Sequence, residues 1–175
     1  MMIHVTPYRS TWKSYCKHVK NKSKKKEIIV LCGSSHCRKT YYRKPLENLY
    51  TVINTDTIRL RLTKDTHLNS KKEPRVWEIF EDLKQISIKH GENIILDACH
   101  ITPQARWHAL RVPCDYKKIC VLFHSKLKTI KSRCKEKWAV DMWRAFKRNK
   151  PTKAELLLEG FDEVREIREE VITNG

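Results

Sequence analysis

The sequence lacks any long apolar run. None of its stretches approaches the roughly 20 apolar residues that a membrane-spanning helix needs. The N-terminal residues begin apolar but soon turn basic, and they lack the apolar core of a signal peptide. We therefore expect a soluble, cytoplasmic protein, and its 175 residues suit one domain.

Paired cysteine motifs are also missing. The chain has seven cysteines, an odd number, and no two of them are spaced as C-x-x-C. This pattern argues against a disulfide framework and favours free thiols in a reducing compartment. His36-Cys37 and Cys99-His100 could form a zinc site if both pairs end neighbouring strands, but no ligand spacing supports that alternative.

Acidic residues are scarce in two parts of the chain. Residues 1–26 carry eight Lys/Arg and no acid, and residues 117–153 carry thirteen Lys/Arg against two acids. The net charge is +17, which predicts a polyanionic partner, most simply nucleic acid. A surface that the lysines merely keep soluble is the alternative, but soluble surfaces usually mix both signs of charge.

Apolar strands alternate with helical segments along the chain. Strands are predicted at buried apolar runs, and helices where apolar residues recur at helical spacing or follow a helix-start signal. This alternation predicts an α/β domain, residues 27–175, with a mainly parallel sheet flanked by helices, after a basic arm at residues 1–26. The predicted strands are 28–32, 50–54, 93–100 and 117–124, and the predicted helices are 38–48, 56–62, 75–90 and 102–111, followed by a mostly helical remainder.

A glycine begins the segment between the first strand and the first helix. "GSSHCRKT" matches the phosphate-binding loop G-x-x-x-x-G-K-[ST] at Gly33, Lys39 and Thr40, whereas Arg38 replaces the second glycine. In such loops backbone N–H groups cradle phosphate oxygens, the lysine contacts the β- and γ-phosphates, and the hydroxyl binds Mg²⁺. Arg38 either strains the loop or adds a cation near the phosphates. The residues predicted to surround the phosphates are Gly33, Ser34, Ser35, His36, Cys37, Arg38, Lys39 and Thr40.

Asp56 follows the second predicted strand. Its carboxylate could act as a general base or could cap the helix that follows. Arg59 lies three residues on, on the same helical face, where it could pair with Asp56 and also bind a substrate phosphate through two N–H groups. A surface salt bridge is the alternative for Arg59. The third predicted strand likewise runs into polar residues, Asp97 to His100, so three strands end in groups capable of chemistry at one edge of the sheet.

Five blocks of the chain, in order, resemble the phage-type 5′-hydroxyl polynucleotide kinases of the P-loop phosphotransferase superfamily. The resemblance covers roughly residues 27–165 and depends on the ordered set, with Cys99-His100 replacing the Thr-Asn of the family pattern. It implies a P-loop kinase fold with a basic helical lid around 126–150. The blocks are "GSSHCRKT" (33–40), "INTDTIR" (53–59), "IILDACHITPQAR" (94–106), "KSRCKEK" (131–137) and "FKRNKPTKAELLLEGFDEV" (146–164).

The resemblance also implies roles for particular residues. Lys39 and Thr40 would bind the phosphates of ATP and Mg²⁺, Asp56 would activate the 5′-hydroxyl, and Arg59 would hold the neighbouring substrate phosphate and orient Asp56. Arg133 is our choice for the lid residue that covers the γ-phosphate. The other residues expected to bind substrate are Asp97, His100 and Arg106.

We therefore expect an ATP-dependent kinase that phosphorylates 5′-hydroxyl ends of RNA or DNA, tRNA fragments among them, in nucleic-acid repair. A ligase or a phosphatase is a candidate partner. The chain shows no D-x-D-x-T phosphatase motif, so we expect no 3′-end processing by this chain. Two alternatives stay open. One is a seryl-tRNA-type or other P-loop kinase, and the other is a non-catalytic nucleic-acid-binding module on a degenerate kinase fold.

Several aromatic residues lie within the basic segments. A nucleobase could stack on Trp12, Tyr15, Trp138 or Trp143, although core packing is the better interpretation of Trp143. Trp77 and Trp107 lie on predicted helices, and we expect both in the core.

Overall fold

The computed structural model describes residues 25–66 and 71–168, so the expected basic arm lies almost entirely outside the described residues. None of the helices within these two ranges is long and apolar enough to cross a membrane.

A 3₁₀ turn at Lys44–Leu46 follows the first helix, where Pro45 interrupts the predicted helix 38–48. The strands are β1 (Lys26–Cys32), β2 (Thr51–Asn54), β3 (Ile94–Asp97), β4 (Tyr116–His124) and β5 (Glu163–Arg168), and the helices are α1 (Lys39–Arg43), α2 (Thr55–Thr63), α3 (Glu73–Lys89), α4 (Pro103–Ala109), α5 (Leu127–Arg133), α6 (Lys137–Asn149) and α7 (Lys153–Glu159).

The described strands form one parallel sheet in the order β2-β3-β1-β4-β5. Ile28 in the central strand β1 pairs with Ile94 of β3 on one side and with Lys118 of β4 on the other. Central parallel strands are covered by helices on both faces, which is why β1 and β3 are continuous apolar runs rather than alternating patterns. The predicted α/β fold with a parallel sheet is confirmed.

Successive residues of β1 point to opposite faces of the sheet and supply two apolar cores. Ile28 and Val30 pack with side chains of α2, α3, α4 and α7, whereas Ile29 and Leu31 pack with side chains of α1 and α5. Helix α6 contributes Ala139 to the second core and Phe146 to the first. The helices thus fix the sheet from both faces.

Local sequence signals start two of the helices. Thr102 accepts a hydrogen bond from the N–H of Ala105, and Pro103 is the first residue of α4, as the sequence predicts. At the start of α7, Thr152 and Glu155 form a capping box, in which each side chain accepts from the other residue's backbone N–H. Both caps use only residues close in sequence. Helices α4 and α7, which lie before and after β4 in the chain, therefore begin without long-range contacts.

Strand β5 is the element that the sequence prediction missed. Four of its six residues are charged, and of its two apolar residues, Val164 and Ile167, only Val164 is buried. Such a charged strand at the edge of a sheet resists pairing with other chains, and it resembles a solvent-exposed helix in composition. Its hydrogen-bonded neighbour, β4, is what makes it a strand.

The prediction that Trp77 and Trp107 lie in the core is wrong. Trp77 is 38% exposed and packs one edge against Phe80, and Trp107 is 57% exposed with the guanidinium of Arg111 5.2 Å from its ring centre. Helical spacing alone does not distinguish such a partly exposed position from a core position.

Candidate functional site

Gly33 begins the segment between β1 and α1, which we call the phosphate loop (residues 33–40). Its N–H donates to the carbonyl of Cys99, 3.0 Å away, so the loop starts against the end of β3. A Cβ atom on Gly33 would lie 2.8 Å from Cys37 Sγ and 2.9 Å from Phe123 Cβ. Only glycine therefore fits at this position, because the surrounding atoms leave no room for a side chain.

Arg38 adopts the backbone conformation of the glycine that it replaces. Its φ of 70° and ψ of 24° are left-handed, and His36 is also left-handed, with φ 58°. A non-glycine residue in this region costs about 1 kcal/mol. The loop thus keeps a turn that favours glycine despite the substitution, while the Arg38 guanidinium lies 6.0 Å from the ring centre of Tyr41.

Lys39 folds its side chain back over the loop. Its ammonium donates to the carbonyls of Gly33 (3.2 Å) and Ser34 (2.7 Å). Burial works against the charge, but the neighbouring sulfur atoms of Cys99 and Cys37 and the carboxylates of Asp97 and Asp56 outweigh it and raise the pKa of Lys39. The loop therefore encloses a permanent cation.

Asp97 ends β3 and is buried beside the loop. Its Oδ2 accepts from Nε of Arg43 (2.6 Å) and from Nδ2 of Asn54 (2.7 Å), so it ties α1 and the end of β2 to β3. These bonds give Asp97 a supporting position next to Lys39, and direct binding of substrate stays a prediction for it.

The residues at the loop suit a magnesium–nucleotide ligand. Thr40, an exposed residue, supplies the hydroxyl that such a loop uses, and no group of three or more His, Cys, Asp or Glu in residues 25–66 and 71–168 could hold a metal ion alone. Mg²⁺ commonly binds through one or two protein oxygens together with substrate phosphates, so a sparse ligand set fits it. The same finding leaves the zinc alternative at His36-Cys37 and Cys99-His100 without a ligand set.

Asp56 is an exposed carboxylate in the first turn of α2. The helix cap is Asn54, whose side chain accepts from the N–H of Thr57, so Asp56 is not the cap that the sequence left as an alternative. Asp56 Oδ1 accepts from Nη1 of Arg59 at 2.6 Å, and the Asp56 side chain is 63% exposed. A carboxylate at a helix N-terminus is stabilised by the helix dipole, and this one is open to solvent.

Arg59 is almost buried and bridges two carboxylates. Besides Asp56, it binds Glu73 through Nε (3.1 Å) and Nη2 (2.6 Å). The expected pairing with Asp56 is present, but the guanidinium is not a simple surface salt bridge. Glu73 is a residue that the sequence analysis missed, because it begins α3, fourteen residues further on, and no local pattern links it to Arg59.

Two residues of the lid segment (126–150) contact the phosphate loop. Arg133, at the end of α5, donates to the carbonyl of His36 at 2.8 Å, and the ring of Trp138, in the first turn of α6, lies 5.4 Å from the ring of His36. Burial and the ammonium of Lys39 lower the pKa of His36, while Asp56 acts in the opposite direction. The structure therefore brings together the loop, Arg133 and Trp138.

His100 and Arg106, which we expect to bind substrate, are both buried just beyond the end of β3. Arg106 is 1% exposed, binds Glu159 through Nε and Nη2 at 2.7 Å each, and donates to the carbonyls of His100 and Ile101. His100 is 2% exposed, and its Nδ1 lies 2.9 Å from the carbonyl of Leu31. These contacts hold the segment after β3, while Arg106 and Glu159 also line a surface cavity, so substrate binding by His100 or Arg106 stays a prediction.

The strand order and the phosphate loop define a class of protein, the P-loop domains with a kinase-like fold. Residues 28–154 match the sequence model of a family described as AAA domain, and the chain belongs to that family. No curated protein matches the sequence.

Solved structures share the fold. A chain of the Pnkp1/Rnl/Hen1 RNA repair complex matches with a TM-score of 0.61 and 17% identity, over 75% of this chain and 47% of that one. A chain of the PezAT chromosomal toxin–antitoxin system of Streptococcus pneumoniae has a TM-score of 0.61 and 17% identity, over 89% and 73%. A putative kinase from Chloroflexus aurantiacus has a TM-score of 0.54 and 10% identity, over 83% and 89%. This chain spans less than half of the repair-complex chain that it matches.

Proposed function

We propose that this chain is an ATP-dependent kinase that transfers the γ-phosphate of ATP to the 5′-hydroxyl end of RNA or DNA. One observation carries the proposal. Asp56, an exposed carboxylate held by Arg59, follows β2 at the sheet edge where Lys39 follows β1. An anchored cation and an open carboxylate at the same sheet edge suit a phosphate donor and a hydroxyl acceptor.

The proposed transfer assigns a task to each group. Lys39 donates to phosphate oxygens in place of the carbonyls of Gly33 and Ser34. The hydroxyl of Thr40 would hold Mg²⁺ together with the phosphates, and the ion would supply further neutralisation of negative charge. The acceptor oxygen attacks the γ-phosphorus, the bond from that phosphorus to the bridging oxygen breaks, and Asp56 takes the hydroxyl proton.

Arg59 and Arg133 assist in different ways. Arg59 has its guanidinium on two carboxylates, so we assign it the positioning of Asp56, and a direct grip on a substrate phosphate would require it to release one of them. Arg133 lies against His36 in the loop, where its charge suits the γ-phosphate during transfer.

A polyanionic acceptor suits the surface beside the loop. Trp138 offers a partly exposed ring next to His36 on which a base can stack. Contacts of this kind are independent of sequence and weaken with added salt. The RNA repair complex among the structural neighbours agrees with a nucleic-acid acceptor, and a ligase or phosphatase partner remains part of the proposal. The exposed lysines of this part of the lid segment are Lys126, Lys128, Lys131, Lys135 and Lys137.

The test is transfer of labelled phosphate from ATP to a panel of acceptors. We expect label on generic 5′-hydroxyl RNA or DNA and none on the same oligomers with a 5′-phosphate. Label confined to charged tRNA would indicate a seryl-tRNA-type kinase, label on small metabolites another P-loop kinase, and binding without label a non-catalytic module.

The Asp56→Asn variant isolates the role of the base. Removal of a general base lowers kcat by about 10²- to 10⁴-fold, so transfer should fall by that factor while ATP binding persists. Asp82→Asn, which removes an exposed carboxylate from α3, is the matched control and should retain full activity. Near-complete activity in Asp56→Asn would remove Asp56 from its role.

A further inference from the structure

Two cysteine sulfurs flank the ammonium of Lys39. Cys37 Sγ and Cys99 Sγ each lie 3.8 Å from Lys39 Nζ, and Ser35 Oγ lies 3.7 Å from Cys99 Sγ. Cys37 belongs to the phosphate loop, whereas Cys99 follows β3. The proposed transfer uses neither thiol group, so this cluster has no explanation in the reaction itself.

Both cysteines also lie next to Gly33. The carbonyl of Cys99 accepts from the N–H of Gly33 at 3.0 Å, and the sulfur of Cys37 lies 2.8 Å from the point where a Cβ of Gly33 would be. Cys37 and Cys99 therefore both lie next to Gly33 and next to the ammonium of Lys39. Cys37 is buried and Cys99 is half-buried, so an agent from solvent reaches Cys99 first.

We propose that Cys37 and Cys99 are a modification site, a thiol pair that a peroxide converts into a disulfide. Cys99 is the more exposed of the two thiols and reacts first, and burial, which raises the pKa of Cys37 to about 11, makes Cys37 the second. The cation of Lys39 beside both sulfurs favours the negative charge that each must carry when it attacks.

The chemistry balances with hydrogen peroxide as the oxidant. The sulfur of Cys99, having lost its proton, attacks one peroxide oxygen, the O–O bond breaks, and hydroxide leaves as a sulfenic acid forms. The deprotonated sulfur of Cys37 then attacks the sulfur of Cys99, the S–S bond forms, and the S–O bond breaks with loss of a second hydroxide. The two thiol protons convert both hydroxides to water, so two thiols are oxidised and one peroxide is reduced.

The disulfide would close the phosphate loop. It would join Cys37 of the phosphate loop to Cys99, beyond the end of β3, across the space that the ammonium of Lys39 now occupies. The bond would therefore displace the cation that a nucleotide needs. Conversely, bound nucleotide phosphates would draw Lys39 away and shield Cys99 from solvent. This inference rests on nucleotide binding by the loop and is independent of the acceptor in the proposed function.

The experiment treats the full chain with hydrogen peroxide, with and without saturating Mg²⁺–ATP. Free thiols are then alkylated without reduction, and tryptic peptides are mapped by mass spectrometry. In parallel, binding of a fluorescent ATP analogue is titrated. We expect a cross-linked pair of peptides containing Cys37 and Cys99, a loss of about tenfold or more in analogue affinity, restoration by dithiothreitol, and protection by ATP.

Two variants separate this site from general oxidation. Cys99→Ser should form no cross-link and keep its affinity after peroxide, whereas Cys114→Ser, which removes another half-buried thiol distant in sequence from the loop, should behave as the native chain. The absence of the cross-link, or equal sensitivity of Cys99→Ser, would overturn the inference. If the reduced chain binds the analogue but labels no polynucleotide, the proposed function fails while this inference stands.

Discussion

Two arginines of the chain, both almost buried, bind a glutamate in the same way but hold different groups with their remaining nitrogen. Arg59 donates from Nε and Nη2 to Glu73, and Arg106 donates from the same two nitrogens to Glu159. The remaining guanidinium nitrogen, Nη1, donates to a different kind of acceptor in each arginine. In Arg59 it holds the exposed carboxylate of Asp56, whereas in Arg106 it ends on backbone carbonyls in the interior. The same ion pair thus leaves a carboxylate in solvent in one case and holds only interior backbone in the other.

The largest effect is expected from breaking the interior pair. Glu159→Gln leaves the buried guanidinium of Arg106 without a counter-charge, and the free energy of unfolding should fall by about 3 kcal/mol, as measured by urea denaturation. Glu78→Gln, in the exposed pair with Arg75, is the control and should change stability by less than about 1 kcal/mol. Equal losses in both variants would contradict the distinction between the two environments.

The next effect concerns pH and His100, which lies beside Arg106. Burial lowers the pKa of His100 to about 4, against an ordinary value of 6.5. As the pH falls from 6.5 to 4, the His100 imidazole becomes protonated in the unfolded chain but stays neutral in the folded one. The free energy of unfolding should therefore be highest above pH 6.5 and should fall by up to about 3 kcal/mol through that window.

The variant His100→Asn should remove that pH dependence. Asparagine tolerates the left-handed backbone, φ 43°, that His100 adopts. Urea unfolding of both proteins at pH 7 and pH 4.5 measures the difference, and the exposed His90→Asn should keep the native slope. A slope unchanged by His100→Asn would show that other groups control acid stability.

Changes in the cluster of Asp56, Arg59 and Glu73 should alter the rate of phosphate transfer. Glu73→Gln weakens the hold on Arg59, and a misplaced Asp56 should lower kcat by roughly 10- to 100-fold with the KM for ATP unchanged. Glu73→Asp, which keeps the charge, should recover part of the rate in the same labelling assay. A variant that loses stability but keeps kcat would make Glu73 a structural residue like Glu159.

The smallest effect concerns Arg38. Glycine adopts the left-handed conformation without strain, so Arg38→Gly should raise the free energy of unfolding by up to about 1 kcal/mol, as measured by thermal or urea denaturation. Affinity for ATP should stay unchanged, because the guanidinium lies over Tyr41 and a glycine supplies the same backbone N–H to the loop. Lys64→Gly, at a second left-handed position, is the matched control. A fall in ATP affinity would make Arg38 a phosphate ligand.

Much of the fold and of the loop could be predicted from the sequence, because these features are local. Apolar runs indicated β1 to β4, the spacing of Gly33, Lys39 and Thr40 indicated the loop, and Thr102 before Pro103 indicated the start of α4. Each signal lies within about ten residues. The contacts of Arg133 and Trp138 with His36 join the segment 126–150 to the phosphate loop, and the role of this segment as a lid stays a prediction.

What the sequence did not indicate depends on partners that are distant in the chain. Arg106 lies 53 residues from Glu159, and His100 lies 69 residues from Leu31, so nothing local marks either residue as buried. The same holds for Glu73 and for β5, whose identity as a strand depends on β4. Polar residues at strand ends therefore indicated where the site lies, but not which side chains remain accessible there.

The internal hydrogen bonds of Lys39 bear on which anions the loop selects. Because the ammonium is already solvated by the oxygens of Gly33 and Ser34, an incoming anion exchanges one pair of acceptors for another. In the proposed function, chloride or a singly charged carboxylate would gain little from this exchange, whereas a polyphosphate would gain through its charge density. The loop would then select solutes by valence before the shape of any base or sugar is involved.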